Sequence, residues 1–142
     1  MLYIACDHGG FDLKTKVVAH LKKLGIKFDD LGAYTEDNED DFPVYAKKLV
    51  AKVAEDENNR GILICGSGVG MSICANRNPH IRAALCKDIN TAKLCRLHND
   101  ANVLVLAGRS TGVVTANKMV ISFLNTEHLG GKYARRMKMI DE

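Results

Sequence analysis

Residues 60–76 read RGILICGSGVGMSICAN, and the character of the chain changes halfway along this stretch. Ile62, Leu63, Ile64 and Cys65 form an apolar run too short for a helix, bounded by Gly61 and Gly66. That is the pattern of a strand buried on both faces. Gly66, Gly68 and Gly70 then alternate with Ser67 and Val69, and Met71, Ile73 and Cys74 suggest a helix to about Asn76. Strand, glycine loop and helix turn bare backbone N–H groups and a helix N-terminus toward an anionic ligand. Cys65 at the strand's last position and Ser67 two residues on add a thiol and a hydroxyl at the mouth of that cradle, which makes Cys65 a candidate base or nucleophile. The loop is not GxGxxG, because Met71 stands where the third glycine belongs, and no Walker lysine follows. What remains suits a small oxyanion or a single phosphate; a tight turn that only packs helix on strand is the plainer alternative.

The same alternation of strand and helix runs through the rest of the chain. Leu2 to Cys6 reads as a buried strand, followed by Asp7-His8-Gly9-Gly10 and by Leu13, Val17, Val18, Leu21 and Leu24 at helical spacing up to Gly25, a C′ glycine. Ile26 to Leu31 predicts a weaker strand, Ala33 to Asp41 an acidic loop, and Pro43 the start of a helix carrying Ala46, Leu49, Val50 and Val53 on one face. Beyond the central stretch, Ile81 to Leu85 predicts a fourth strand. Asp88 caps a helix to about Leu97, and His98-Asn99-Asp100 is a connection with Asn99 suited to a left-handed C′ position. Val103 to Leu106 is a fifth strand closed by Ala107-Gly108-Arg109. Val113, Ala116, Val120 and Leu124 mark a long helix, and Lys132 to Ile140 a short basic one. Five β–α units without a linker predict one α/β domain over 1–142: a doubly wound, Rossmann-like α-β-α sandwich on a five-stranded parallel sheet.

Bulk properties narrow the function. With 46% hydrophobic and 26% charged residues the 142-residue chain is an ordinary soluble composition, able to bury a full core. A net charge of +3 with no basic run of five or more argues against nucleic acid as a partner. No charged leader or long apolar run opens the sequence, so the expectation is a cytoplasmic protein without a membrane partner. Cys6, Cys65, Cys74, Cys86 and Cys95 form no CxxC and no Cys/His set at zinc spacing, which excludes a disulfide framework or structural metal as the organising element. Cys74, Cys86 and Cys95 sit among aliphatic residues and read as core.

In parallel sheets ligands bind at the carboxyl ends of the strands. Those ends here carry Asp7-His8-Gly9, the loop from Gly32, Cys65 to Gly70, the Cys86–Asp88 turn, and Arg109. His8 reads equally as a phosphate contact, a general acid or half of a solvated loop pair. His98, on an Arg-Leu-His-Asn-Asp turn, reads more often as a surface histidine, and Arg109, Lys132, Arg135 and Arg136 in the usual way as a basic surface.

Taken in order, these pieces resemble the ribose-5-phosphate isomerase B family, which also includes the galactose-6-phosphate isomerase subunits. The resemblance is carried by Asp7-His8-Gly9-Gly10-Phe11 with Leu13-Lys14, by Asp30-Leu31-Gly32, and by Asp41-Phe42-Pro43 where the family has Asp-Tyr-Pro. It continues in Gly61 to Gly70 with Ala75-Asn76, in Ile81-Arg82-Ala83-Ala84, in His98-Asn99-Asp100-Ala101-Asn102-Val103-Leu104, and in Gly130-Gly131. What the resemblance implies is an aldose–ketose isomerase of the pentose phosphate pathway, an intramolecular oxidoreductase acting on ribose 5-phosphate without cofactor or metal. By the same resemblance Cys65 is the base, since Met71 and Ser72 occupy the region where other members carry a glutamate. Ser67 shuttles a hydroxyl proton, the N–H groups of Gly66, Ser67, Gly68, Val69 and Gly70 hold the enediolate oxygen, and Asp7 and Asn99 orient sugar hydroxyls. His98 opens the sugar ring, and His8, Arg109, Lys132 and Arg136 hold the phosphate. The helix behind the loop is expected to lower the thiol pKa toward neutrality. Ser67 stands in place of the usual threonine, Lys132-Tyr133 in place of Arg-His, and the glycine before Arg109 is shifted by one.

His98 precedes its strand whereas Cys65 ends one, so a parallel sheet sets them at opposite edges, roughly 15 Å apart at about 3.3 Å per residue. That predicts a homodimer, or a tetramer built from it, in which a partner lends His98 and Asn99 to each site. Competing readings are an isomerase of allose or galactose 6-phosphate, a nucleotide-binding module of flavodoxin or stress-protein type, and a thiol redox sensor built on Cys65.

Overall fold

The computed structural model describes residues 1–142. Its strands are β1 (Leu2–Cys6), β2 (Asp29–Asp30), β3 (Arg60–Cys65), β4 (Ala83–Leu85) and β5 (Val103–Ala107). All pair in parallel in the order β2-β1-β3-β5-β4. The helices are α1 (Phe11–Lys23), α2 (Phe42–Val53), α3 (Val69–Ala75), α4 (Ile89–Asn99), α5 (Val113–Asn125) and α6 (Gly131–Asp141). The expected doubly wound, Rossmann-like architecture is the one observed. No helix is long and apolar enough to cross a membrane.

The continuous apolar runs split by alternation onto two faces. Ile4, Cys6, Ile62, Ile64, Leu104 and Leu106 pack with α1, α4 and α5 around Val17, Leu21, Met119 and Phe123. Ala5, Leu63, Cys65, Val103 and Val105 pack with Leu49, Val50 and Val53 of α2 and Met71 and Ala75 of α3. Cys65 therefore points toward α2 and α3. The chain reverses order between β1 and β3, and at such a switch point the loops diverge and leave a crevice.

Where the observed elements differ from expectation, hydrogen bonding supplies the reason. The second strand shrinks from Ile26–Leu31 to Asp29–Asp30 because Ile26 is spent on the end of α1. Its N–H bonds the Leu21 carbonyl at 3.0 Å past Gly25 at φ +69°, a Schellman closure. The fourth strand starts at Ala83 rather than Ile81: Arg82 N–H donates to the Asn102 side chain and Ala83 N–H to that of Asn76, both at 2.8 Å. His98 and Asn99 are not a connection. They are the last residues of α4, and the left-handed position falls one residue later, at Asp100 (φ 44°, ψ 42°). Asp88 caps α4 as expected, accepting from Thr91 N–H at 2.7 Å. Cys86 and Cys95 are core residues, whereas Cys74 is only half-buried.

Candidate active site

The carboxyl ends of β1, β3 and β5 are neighbours, and their loops meet almost backbone to backbone. A Cβ on Gly9 would stand 2.6 Å from Gly66 N, and one on Gly108 2.5 Å from the Gly9 carbonyl oxygen, so neither position accepts another residue. Asp7 accepts from Gly10 N–H at 3.2 Å across a single 3-10 turn, and only 6% of it is exposed. Cys65 is 5% exposed at the entry to the glycine loop. Gly68, at φ +78°, supplies the left-handed turn that lets the chain enter α3, and Ser67 Oγ accepts from Val69 N–H at 3.2 Å.

Arg109 donates its N–H to the Gly66 carbonyl at 3.1 Å and lays its guanidinium over Gly66, with one terminal nitrogen 2.9 Å from where a Cβ would stand. The shifted glycine thus leaves Arg109 facing the cradle. The ring of Phe42 covers Gly70 in the same way.

His8 is tied down by a residue that sequence reading passed over. Its Nδ1 lies 2.6 Å from Asp40 Oδ1, which also accepts from His8 N–H at 3.2 Å. The side-chain bond to Asp40 raises the His8 pKa above its ordinary value of 6.5, with the Asp7 and Asp40 charges adding to it and Arg109 opposing. Burial pushes the Asp7 carboxyl up; the neighbouring His8 draws it down and Asp40 raises it further. Asp7, His8 and Asp40 each offer a ligand atom, all within 4.8 Å of one another. His8 Nδ1 and Asp40 Oδ1 are already spent on each other, so the group is a hydrogen-bonded pair beside a carboxyl more than an open cation site.

The expected depression of the Cys65 pKa is corrected. Burial raises it, and backbone N–H groups of Met71, Gly68 and Ser67 work in the opposite direction without prevailing. A seven-residue helix does not outweigh removal of the sulfur from water.

One chain brings together Asp7, His8, Cys65, Gly66, Ser67, Gly68, Val69, Gly70 and Arg109. It does not bring His98, Asn99, Lys132 or Arg136 to them. α4 and α5 both run back toward the amino edge of the sheet, and α6 lies against the end of α4, where Leu129 N–H bonds the Leu97 carbonyl at 3.1 Å. There His98 stacks on Tyr133, centroids 4.5 Å apart and planes 13° from parallel. Lys132 Nζ and the Arg136 guanidinium lie 5.3 and 5.8 Å from the same ring. The phosphate group expected from His8, Arg109, Lys132 and Arg136 is therefore divided between two edges of the molecule. Asp100 anchors the His98 end, accepting from Arg96 at 2.7 Å and Arg82 at 3.1 Å.

The signals for what was missed differ. Asp40 is one of several acids in the 36–41 segment, and nothing local distinguishes it. Tyr133 was visible only as a departure from the family's histidine. A cavity of about 530 Å³ lies at the amino edge among Arg60, His80, Arg82, Asp100 and Asp141, and Cys65 does not line it.

Residues 2–140 match the family model described as Ribose/Galactose Isomerase. The chain is 42% identical over 135 residues to ribose-5-phosphate isomerase B of Escherichia coli (strain K12), covering 95% of this chain and 90% of that one. A crystal structure of ribose 5-phosphate isomerase from Thermotoga maritima superposes with a TM-score of 0.95 at 48% identity, covering 99% of this chain and 96% of that one. Ribose-5-phosphate isomerase B of Mycoplasma genitalium, solved with bound ribulose 5-phosphate, gives a TM-score of 0.95 at 38% identity, covering 99% and 93%.

Proposed function

The chain belongs to the ribose/galactose isomerase family, and from that premise we propose that it interconverts ribose 5-phosphate and ribulose 5-phosphate with Cys65 as the base. The single observation that carries this assignment is a buried thiol at the end of β3 and the entry to the glycine loop, where the backbone N–H groups of Met71, Gly68 and Ser67 favour its thiolate form. A thiolate is a competent carbon base only where its charge, and the charge it creates on the substrate, are both held by fixed donors.

Cys65 removes the proton from C2 of the open-chain aldose and returns it to C1. The negative charge moves onto oxygen as the enediolate forms, and Ser67 transfers the hydroxyl proton from O2 to O1. The loop N–H groups of Gly66 to Gly70 stabilise that oxygen, each well-placed donor contributing on the order of 100- to 1,000-fold in rate. Asp7 orients sugar hydroxyls, and Arg109 with His8 takes the phosphate.

His98 and Asn99, the ring-opening acid–base and its neighbour, come from a second copy, together with Lys132 and Arg136. A two-fold dimer satisfies this, because the same patch then gives and receives. Exposed apolar side chains fit such a contact: Val69 and Ile73 on α3, and Ile140 on α6 beside Asn76 and Asn99. Five free thiols and a phosphorylated sugar substrate favour the cytoplasm as its compartment.

The test is Cys65→Ala. It should lower kcat/KM for ribose 5-phosphate by about 1,000-fold or more while leaving cooperative unfolding in place. Retained turnover would remove Cys65 as the base. Wild-type kcat/KM on allose and galactose 6-phosphates, run beside it, ranks five- against six-carbon substrates.

A further inference from the structure

Building on the reading of His8 as a phosphate ligand, we propose that Asp40 is its positioning residue, holding the imidazole as a cation with Nε2–H presented to the substrate's phosphate. The geometry has three parts. Asp40 Oδ1 accepts from both the backbone N–H and Nδ1 of His8, at 3.2 and 2.6 Å, so ring and backbone are fixed by one oxygen. The Asp40 side chain is itself only 8% exposed, and its second oxygen, Oδ2, is buried with no partner. A carboxylate in that setting gains most from a full positive charge beside it. His8 makes no other side-chain hydrogen bond within the chain, and a quarter of its side chain is exposed, which leaves Nε2 available.

The charge state matters because of the ligand. A sugar phosphate is a dianion above about pH 6. A neutral imidazole with its proton on Nδ1 would turn a lone pair toward that dianion, whereas the imidazolium offers a charge-assisted donor. The groups facing His8 are Asp7 from the end of β1, Asp40 ahead of α2 and Arg109 after β5, with Tyr45 of α2 beside Asp40. The two carboxyl groups and the direct bond favour the cation over the opposing guanidinium. Raising the His8 pKa extends the cationic form above the usual titration range and so widens the pH window in which substrate dianion and His8 cation coexist.

Asp40→Asn keeps the size and an acceptor oxygen and removes the charge. KM for ribose 5-phosphate should stay within about twofold of wild type at pH 6 and rise about tenfold at pH 8, with kcat unchanged, the loss of one charge-assisted bond. In parallel, NMR titration of His8 with inorganic phosphate as the probe ligand should give a wild-type midpoint above 6.5 that falls in the variant. Equal KM loss at both pH values, a fall in kcat alone, or a wild-type midpoint at or below 6.5 overturns the proposal. If the wild type fails to isomerise ribose 5-phosphate, the functional reading is lost while the His8 midpoint still decides the role of Asp40.

Discussion

Mixing two inactive variants tests the division of the site directly. In Cys65→Ala the base is lost and His98 kept; in His98→Ala the reverse. β3 and β5 pair in register from Gly61 opposite Val103 to Cys65 opposite Ala107, and His98 lies five residues before Val103. At about 3.3 Å per residue the sheet alone separates the two groups by roughly 15 Å, several times the roughly 3 Å over which a proton donor acts. If each site takes Cys65 from one chain and His98 from the other, a mixed dimer has one doubly disabled site and one intact site. Random exchange in an equal mixture gives about half mixed dimers, so activity should recover to about one quarter of wild type per chain. The assay is ribulose 5-phosphate formation after mild denaturation and refolding together, with each variant refolded alone as the baseline. Recovery absent from a mixture that mass spectrometry shows to have exchanged subunits would refute the shared site.

Two further outcomes follow from side chains at the site and beneath it. A raised thiol pKa means that Cys65 is mostly protonated at neutral pH, so thiolate accumulates only as pH rises. Iodoacetamide modification of Cys65, read by peptide mass spectrometry to separate it from half-buried Cys74, should therefore accelerate continuously to pH 9; a plateau near pH 7 would contradict the burial argument. Lys14, only 3% exposed, donates to Asp30 at 2.6 Å and to the Ala33 carbonyl at 2.7 Å. Lys14→Met should reduce the unfolding free energy in urea by about 2–4 kcal/mol; a change under 0.5 kcal/mol would mean that water already serves both acceptors.

The parallel sheet was legible because Leu2–Cys6, Ile62–Cys65 and Val103–Leu106 are apolar without interruption, and because Gly25, Gly66 and Gly108 mark the ends of α1, β3 and β5. The Cys65 loop was legible for the same reason. Short edge strands were not, since β2 and β4 depend on which N–H groups Leu21, Asn76 and Asn102 claim first, a matter of tertiary contact. The end of α4 was misjudged because Asn99 has the stronger local preference for a left-handed turn, yet Asp100 gains two arginines by taking it. Burial of Lys14 and Arg96, and the pairing of Asp40 with His8 across 32 residues, leave no periodic trace in a sequence. The thiol's raised pKa was missed by weighing a helix terminus without the desolvation that accompanies a position 5% exposed.

The close approach of Gly9, Gly66 and Gly108 has an evolutionary reading. A floor made of touching main chain has almost no sequence freedom, so substrate preference cannot drift by reshaping it. Change must come from side chains that overhang the floor or arrive from elsewhere: Phe42 above Gly70, Ser67 beside the thiol, Lys132 and Tyr133 on the distant helix. Phe42, Ser67, Lys132 and Tyr133, at which this chain departs from its family's usual residues, are all of this kind; only the shifted glycine, Gly108, departs within the floor itself.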